Sequence, residues 1–178
     1  MVANANAYTG TPKSSPRIVE AQDSVTRPAN TTQYADGDAI SDNATTPTAA
    51  GYFMLTLATV PGGAVLLTDF TLHKSDQDQA AADITLLLFD EVPALAGFED
   101  NGAMAITDAE FKTCKGVIPF DADDWSNVGG GDIQTVSKTI AIIPTSALTA
   151  IYGIMVANGT YTPGSAEVFT LTAKGYQE

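Results

Sequence analysis

The chain has 178 residues, 44% of them hydrophobic and only 16% charged, which is enough length for one domain with a single sizeable core. Eight basic residues against 21 acidic ones leave a formal net charge of -13, disfavouring both a partner bound through nucleic-acid phosphates and an anionic membrane surface. The single cysteine, Cys114, excludes an intramolecular disulfide and a cysteine-built metal site, and the opening "MVANANAYTG" has neither the basic nor the apolar region of a secretory signal.

In chain order, residues 1–23 ("MVANANAYTGTPKSSPRIVEAQD") have no apolar period and read as an extended N-terminal arm, leaving residues 24–178 as one domain. A strip thick in Thr, Asn, Asp and Pro follows, "SVTRPANTTQYADGDAISDNATTP". From Gly37 onward come short runs of β-formers bounded by Gly, Pro, Asn or Asp. These are "GDAIS", "YFMLTLATV", "AVLLTDFTLHK", "DITLLLFDE", "GVIPF", "IQTVSKTIAII", "TAIYGIMVA" and "AEVFTLTAKGY". About eight strands predict an all-β chain, a jelly-roll-like antiparallel β-sandwich.

Two of these runs differ in pattern. In "IQTVSKTIAII" one face carries Gln134, Val136, Lys138, Ile140 and Ile142, opposite Thr135, Ser137 and Thr139, which predicts one buried face. In "DITLLLFDE", Leu86 and Leu88 back onto Leu87 and Phe89, which predicts cover on both sides. The one short helix is expected in "TDAEFKTCKG", where Thr107 and Glu110 have capping-box spacing and Gly116 is a stop; it is a candidate for that cover. The longest apolar runs, such as "LTAIYGIMVA", are half the roughly 20 residues of a membrane-spanning helix.

Chemistry-bearing residues are sparse. His73, the only histidine, ends a predicted strand and lacks a visible orienting partner, so it reads as a surface strand residue. The loop "DADDWSNVGGGD" gathers Asp121, Asp123, Asp124 and Asp132, yet Ser126 and Asp132 stand where a calcium loop of the EF-hand type needs Gly and Glu. It reads as a solvated acidic loop, with Trp125 as an interface anchor or a lid on the core. Its glycines lack the Lys-Ser/Thr of a phosphate cradle. No cofactor, no metal site and no catalytic set are expected.

Together, "SVTRPANTTQYADGDAISDN", "LLLFDEVPA", "FEDNGAMAITDAEF" and "LTAIYGIMVANGTYTPGSAEVFTLTAKGY" resemble a group of tailed-phage virion proteins, over residues 24–176. The positions that carry the resemblance are Thr26, Arg27, Pro28, Thr32, Tyr34, Gly37 and Asp38, then Asp100 and Asn101, then Tyr152 and Gly153. The resemblance implies a non-enzymatic capsid decoration or cement protein with a jelly-roll body, set as a homotrimer on the virion surface against the major capsid protein and made in the host cytoplasm. The alternative is a carbohydrate-binding, host-recognition module of a tail or head fibre. On physical grounds Arg27 and Pro28 suit an ordered strip, Tyr34 an aromatic body with a hydroxyl for a partner, and Gly37 with Asp38 a turn into the first strand.

Overall fold

The computed structural model describes residues 16–76, 82–94, 96–145 and 147–177. Strand β1 (Arg17–Thr26) pairs with β10 (Val168–Gln177), β10 with β4 (Val65–Lys74), β4 with β8 (Asp132–Ile142), and β8 with the two-residue β7 (Ser126–Asn127). In the second sheet β2 (Ala39–Ile40) and β3 (Phe53–Thr56) both lie along β9 (Ala150–Ala157), followed by β5 (Ile84–Phe89) and β6 (Cys114–Phe120). Every pairing is antiparallel.

Taking β2 and β3 as one interrupted strand and leaving β7 aside, eight strands remain, in the order first-eighth-third-sixth in one sheet and second-seventh-fourth-fifth in the other. That order is two interlocked Greek keys, the jelly roll. Each of the eight runs expected from the sequence overlaps a strand of the structure, and β1 and the two-residue β7 lie outside them.

The core forms because alternate residues of both sheets turn inward. Phe70 and Leu72 of β4, Phe169 and Leu171 of β10, Ile140 and Ile142 of β8 meet Leu86 and Leu88 of β5, Ile151 and Met155 of β9, and Ile118 and Phe120 of β6. In β8 the buried residues are Asp132, Gln134, Ile140 and Ile142 while Thr135, Ser137 and Thr139 are exposed, the one-sided pattern expected, except that Lys138, expected on the buried face, is exposed as well. A bulge in β4 between Leu67 and Asp69 resets the alternation, so Leu67 and Phe70 both face in.

Three expectations need correction. The boundary drawn at residue 23 cuts through β1: Arg17–Asp23 pair residue for residue with β10 from Gln177 to Leu171, and Val19 is buried in the core. In β1 the inward residues Val19, Ala21 and Val25 alternate with Ser, Gln and Glu, a period hidden by Asp23 on the inner side. Residues 1–15 of the expected arm lie outside the described residues.

The helix forms only over Asp108–Phe111, with the Thr107/Glu110 capping box in place, and ends at Lys112 rather than at Gly116. Gly116 lies in β6, because Cys114 already pairs with Phe89 and strand pairing overrides the helix. This helix buries no residue, so it is not the cover of β5.

The outer side of β5 is covered by the loop that follows it. Leu87 and Phe89 pack with Phe98, Met104 and Ile106 of that loop and with Tyr52, Tyr152 and Ile154 in a second apolar cluster. The chain thus supplies its own outer layer. Coverage of both faces of β5 therefore gives no argument for a partner subunit.

Candidate functional site

The polar strip after β1 crosses one end of the sandwich and is fixed there by a buried closure. Arg27, 2% exposed at the end of β1, donates from Nη2 to Asp100 Oδ2 at 3.0 Å, with both side chains inaccessible to solvent. Its Nε donates to the Tyr34 hydroxyl, which in turn donates to Asp100 Oδ1, and the guanidinium carbon sits 4.6 Å from the centre of the Tyr34 ring. The backbone N–H of Ser41 donates to the same Asp100 oxygen at 3.1 Å. A buried charge without such partners would cost several kcal/mol, so the set is stable only when complete.

Asp100 and Asn101 belong to the loop that covers β5, and the closure ties that loop down. Asn101 adopts a left-handed backbone (φ 60°) and its amide donates to the carbonyls of Thr32 and Gln33 at 3.2 and 2.9 Å. Backbone bonds complete the seam: Asn101 N–H to Ala39 O, Ala39 N–H to Gly102 O, and Met104 N–H to Gly37 O. Gly37 is at φ 85°, a conformation that disfavours any side chain, and its turn is closed by Asp38 accepting from Ala35 N–H at 2.7 Å.

The remaining expected positions fall around this set. Thr26 is exposed and Thr32 accepts only through its backbone, while the Pro28 carbonyl accepts from Asn30 at 2.8 Å. Tyr152 and Gly153 sit on β9, away from Arg27's ion pair. The Tyr152 ring meets Tyr52 edge-on at 5.5 Å in the outer cluster, and burial pushes its hydroxyl above the usual range. Gly153 faces inward, where a Cβ would stand 3.0 Å from Leu86 and 3.3 Å from Phe53.

A second buried cluster adjoins the first, and sequence reading missed it. Lys74, 1% exposed at the end of β4, lies 2.9 Å from Asp132 and 4.0 Å from Glu167. Glu167 also accepts from the Tyr161 hydroxyl, and the Tyr161 ring stacks on Tyr34 at 6.0 Å between centres. Lys74 further approaches the faces of Trp125 and Tyr161 at 6.0 and 5.9 Å. Burial pushes the Glu167 carboxyl above its usual range, against the Tyr161 hydrogen bond and the Lys74 charge, and raises the hydroxyls of Tyr34 and Tyr161.

The signal for this cluster was strand parity. Lys74 follows Phe70 and Leu72 on the inward face of β4, and Asp132 shares the face of Gln134 in β8. Asp132 therefore leaves the acidic loop to which it was assigned, whereas Asp121, Asp123 and Asp124 are exposed as expected. Trp125 is a lid: half-buried against the core, it donates from its indole N–H to Ala82 O at 2.8 Å. His73 is half-buried on the outer face of β4, in a row with Ser24, Thr170 and Ile133.

Among the described residues, no group of three or more His, Cys, Asp or Glu could hold a metal ion, and no helix is long and apolar enough to cross a membrane. The geometry defines a jelly-roll sandwich whose strip and covering loop are joined by the buried Arg27–Asp100 ion pair. No protein-family description matches the sequence, and no curated protein matches it. Among solved structures the chain is similar to one in the cyanophage Pam1 capsid asymmetric unit, at 18% identity over 99% of this chain and 98% of that one, TM-score 0.40. It is also similar to a chain of the acidic stable capsid of Helicobacter pylori bacteriophage KHP30, at 11% identity over 91% and 93%, TM-score 0.31. A third is a chain of the Israel acute paralysis virus crystal structure, at 11% identity over 99% and 82%, TM-score 0.33. The jelly-roll assignment rests on the strand order, not on these distant likenesses.

Proposed function

We propose that the chain is a non-enzymatic structural protein of a phage particle: a capsid decoration or cement protein that binds the major capsid protein on the outer shell as a homotrimer and stabilises the head. The observation behind this reading is that residues through which the sequence resembles tailed-phage virion proteins meet in one closure, Arg27 reaching Asp100 across 73 positions of sequence. Arg27, Tyr34 and Asp100 are buried and consumed by one another, so their role is architectural. Function in such a chain falls to its outer surface.

That surface has an apolar end. Ile18, Tyr176, Leu66 and Ala141 stand in one row across four strands of the first sheet, with Ile18, Leu66 and Tyr176 exposed by 72%, 41% and 43%. Exposed apolar patches of this kind mark protein contacts. The carbohydrate-binding alternative requires exposed aromatic platforms on the loops, whereas the indole of Trp125 is held against the core.

The test is to add purified protein to phage heads lacking it and measure occupancy by cryo-electron microscopy, beside the double variant Ile18→Ser with Leu66→Ser. Saturable occupancy by the parent and reduced occupancy by the variant are expected. Absence of parent binding to heads, together with binding to a glycan array, would replace this reading by the host-recognition one.

A further inference from the structure

Seven cations fall among the described residues. Arg27 and Lys74 are buried, and Lys174 pairs with Glu20 at 3.2 Å. Two of the others, Lys115 and Lys138, line one groove between the free edge of β6 and the outer end of β8, and Lys112, whose carbonyl accepts from Lys115 Nζ at 2.7 Å, stands beside the groove's wall residue Phe111. Its walls carry Phe111 and Val117, exposed by 63% and 46%, and no carboxylate. The acids nearby are engaged or turned elsewhere: Asp90 pairs with Lys115 at 3.3 Å, Glu110 is held in the capping box, and Asp108 is exposed in the helix's first turn. Lys112 and Lys138 have no carboxylate partner among the described residues, and Lys138 donates instead to Val117 O at 2.7 Å.

The opposite end of the same edge has the complementary character. Directly after β6, Asp121, Asp123 and Asp124 are all exposed around a 3-10 turn, none of their side chains pairs with a cation, and the adjoining loop exposes Val128 by 57%. Four residue steps along β6 hold Val117 and Asp121 about 13 Å apart at roughly 3.3 Å per residue, and none of the turn's carboxylates pairs with a groove lysine of its own copy. In a chain of net charge -13, copies repel unless cationic surface meets acidic surface.

We propose that this groove is a self-association site: Lys112, Lys138 and the Phe111–Val117 wall of one copy receive the Asp121–Asp124 turn of a second copy. The contact is made by side chains and not by sheet extension, because Pro119 lacks an N–H and the Val117 carbonyl is already taken by Lys138. It is independent of whether the protein resides on a capsid.

A charge-swap experiment tests it, read by sedimentation velocity at low ionic strength. One variant carries Lys112→Glu and Lys138→Glu; the other carries Asp121→Lys, Asp123→Lys and Asp124→Lys. Lys115 is left in place because it holds Asp90. The parent should associate, and each variant alone should associate at least about tenfold more weakly, as should the parent at about 0.5 M salt. An equimolar mixture of the two variants should regain association in complexes containing both. Should a melting curve show either variant unfolded, Lys138→Gln and Asp123→Asn replace them, with weakening but no rescue expected. A parent that stays monomeric at about 0.1 mM protein, variants that associate like the parent, or a mixture as dissociated as its components would each overturn the assignment.

Discussion

The two outer faces of the sandwich begin from the same alternation rule and end differently. On the first sheet, Gln22, Thr172, Thr71 and Thr135 stand in one row across four strands, with Ser24, Thr170 and His73 in the next, all facing solvent. Their side chains bond to one another, Gln22 to Thr172 at 3.0 Å and Thr71 with Thr135 at 2.9 Å. On the second sheet the corresponding positions are Leu87, Phe89, Tyr152 and Ile154, roofed by Phe98, Met104 and Ile106. An outward face is bare where hydroxyls can satisfy themselves and water, and covered where its side chains are apolar. The Arg27 closure and the Asn101 amide anchor that cover to the strip, beside the backbone seam.

The strongest way to break that contrast is Asp100→Ala. It leaves Arg27 charged and buried without its partner, and a loss of about 3–5 kcal/mol is expected from chemical denaturation. Hydrogen exchange should rise over the covering loop and not over β4 or β10. Joint replacement, Arg27→Met with Asp100→Leu, should cost far less than Asp100→Ala alone, since no orphaned charge remains. Equal costs would mean that the pair does not act as a unit.

A somewhat smaller effect is expected for Phe98→Ala, which opens the roof over Phe89 without touching a charge. Phe98 is 3% exposed, and about 3 kcal/mol should be lost. Dye binding to the uncovered Tyr52 and Tyr152 region should report the exposure. Unchanged stability would show that the second cluster is not a packed core.

The Lys74 cluster sharpens the comparison through pH. Glu167 is held above its ordinary value of 4.5 in the folded chain, so it binds its proton more tightly folded than unfolded. Its contribution is fully present below about pH 4.5 and is lost as pH rises through the higher folded value. Glu167→Gln cannot ionise, so the difference in melting temperature between parent and variant should move against the parent as pH rises from 4.5 toward 8. Parallel curves over that range would remove Glu167 from the titrating set.

The smallest effect belongs to the bare face. Thr172→Ala removes one exposed hydroxyl from a row of four strands, and a change within about 0.5 kcal/mol is expected by denaturant titration. A loss several times larger would mean that the hydroxyl rows carry stability of their own.

The sequence by itself determined the sandwich and every strand of it except β1 and the two-residue β7, because period-two patterning in runs such as "IQTVSKTIAII" depends only on which side chains seek water. It also determined that β5 is covered on both faces, since Leu86 and Leu88 back onto Leu87 and Phe89. What it left open were matters of partnership. β1 was read as arm because its edge pairing with β10 is a long-range contact that local pattern does not encode, and Asp23 on its inner side disguised the alternation. The helix was extended to Gly116 because propensity carries no knowledge of the β5–β6 ladder that claims Cys114. Lys74, Asp132 and Glu167 come from three strand ends and were invisible as a set: charge in a sequence reads as surface, and only tertiary structure, by placing opposite charges within a few ångströms inside a sealed end, makes their burial affordable.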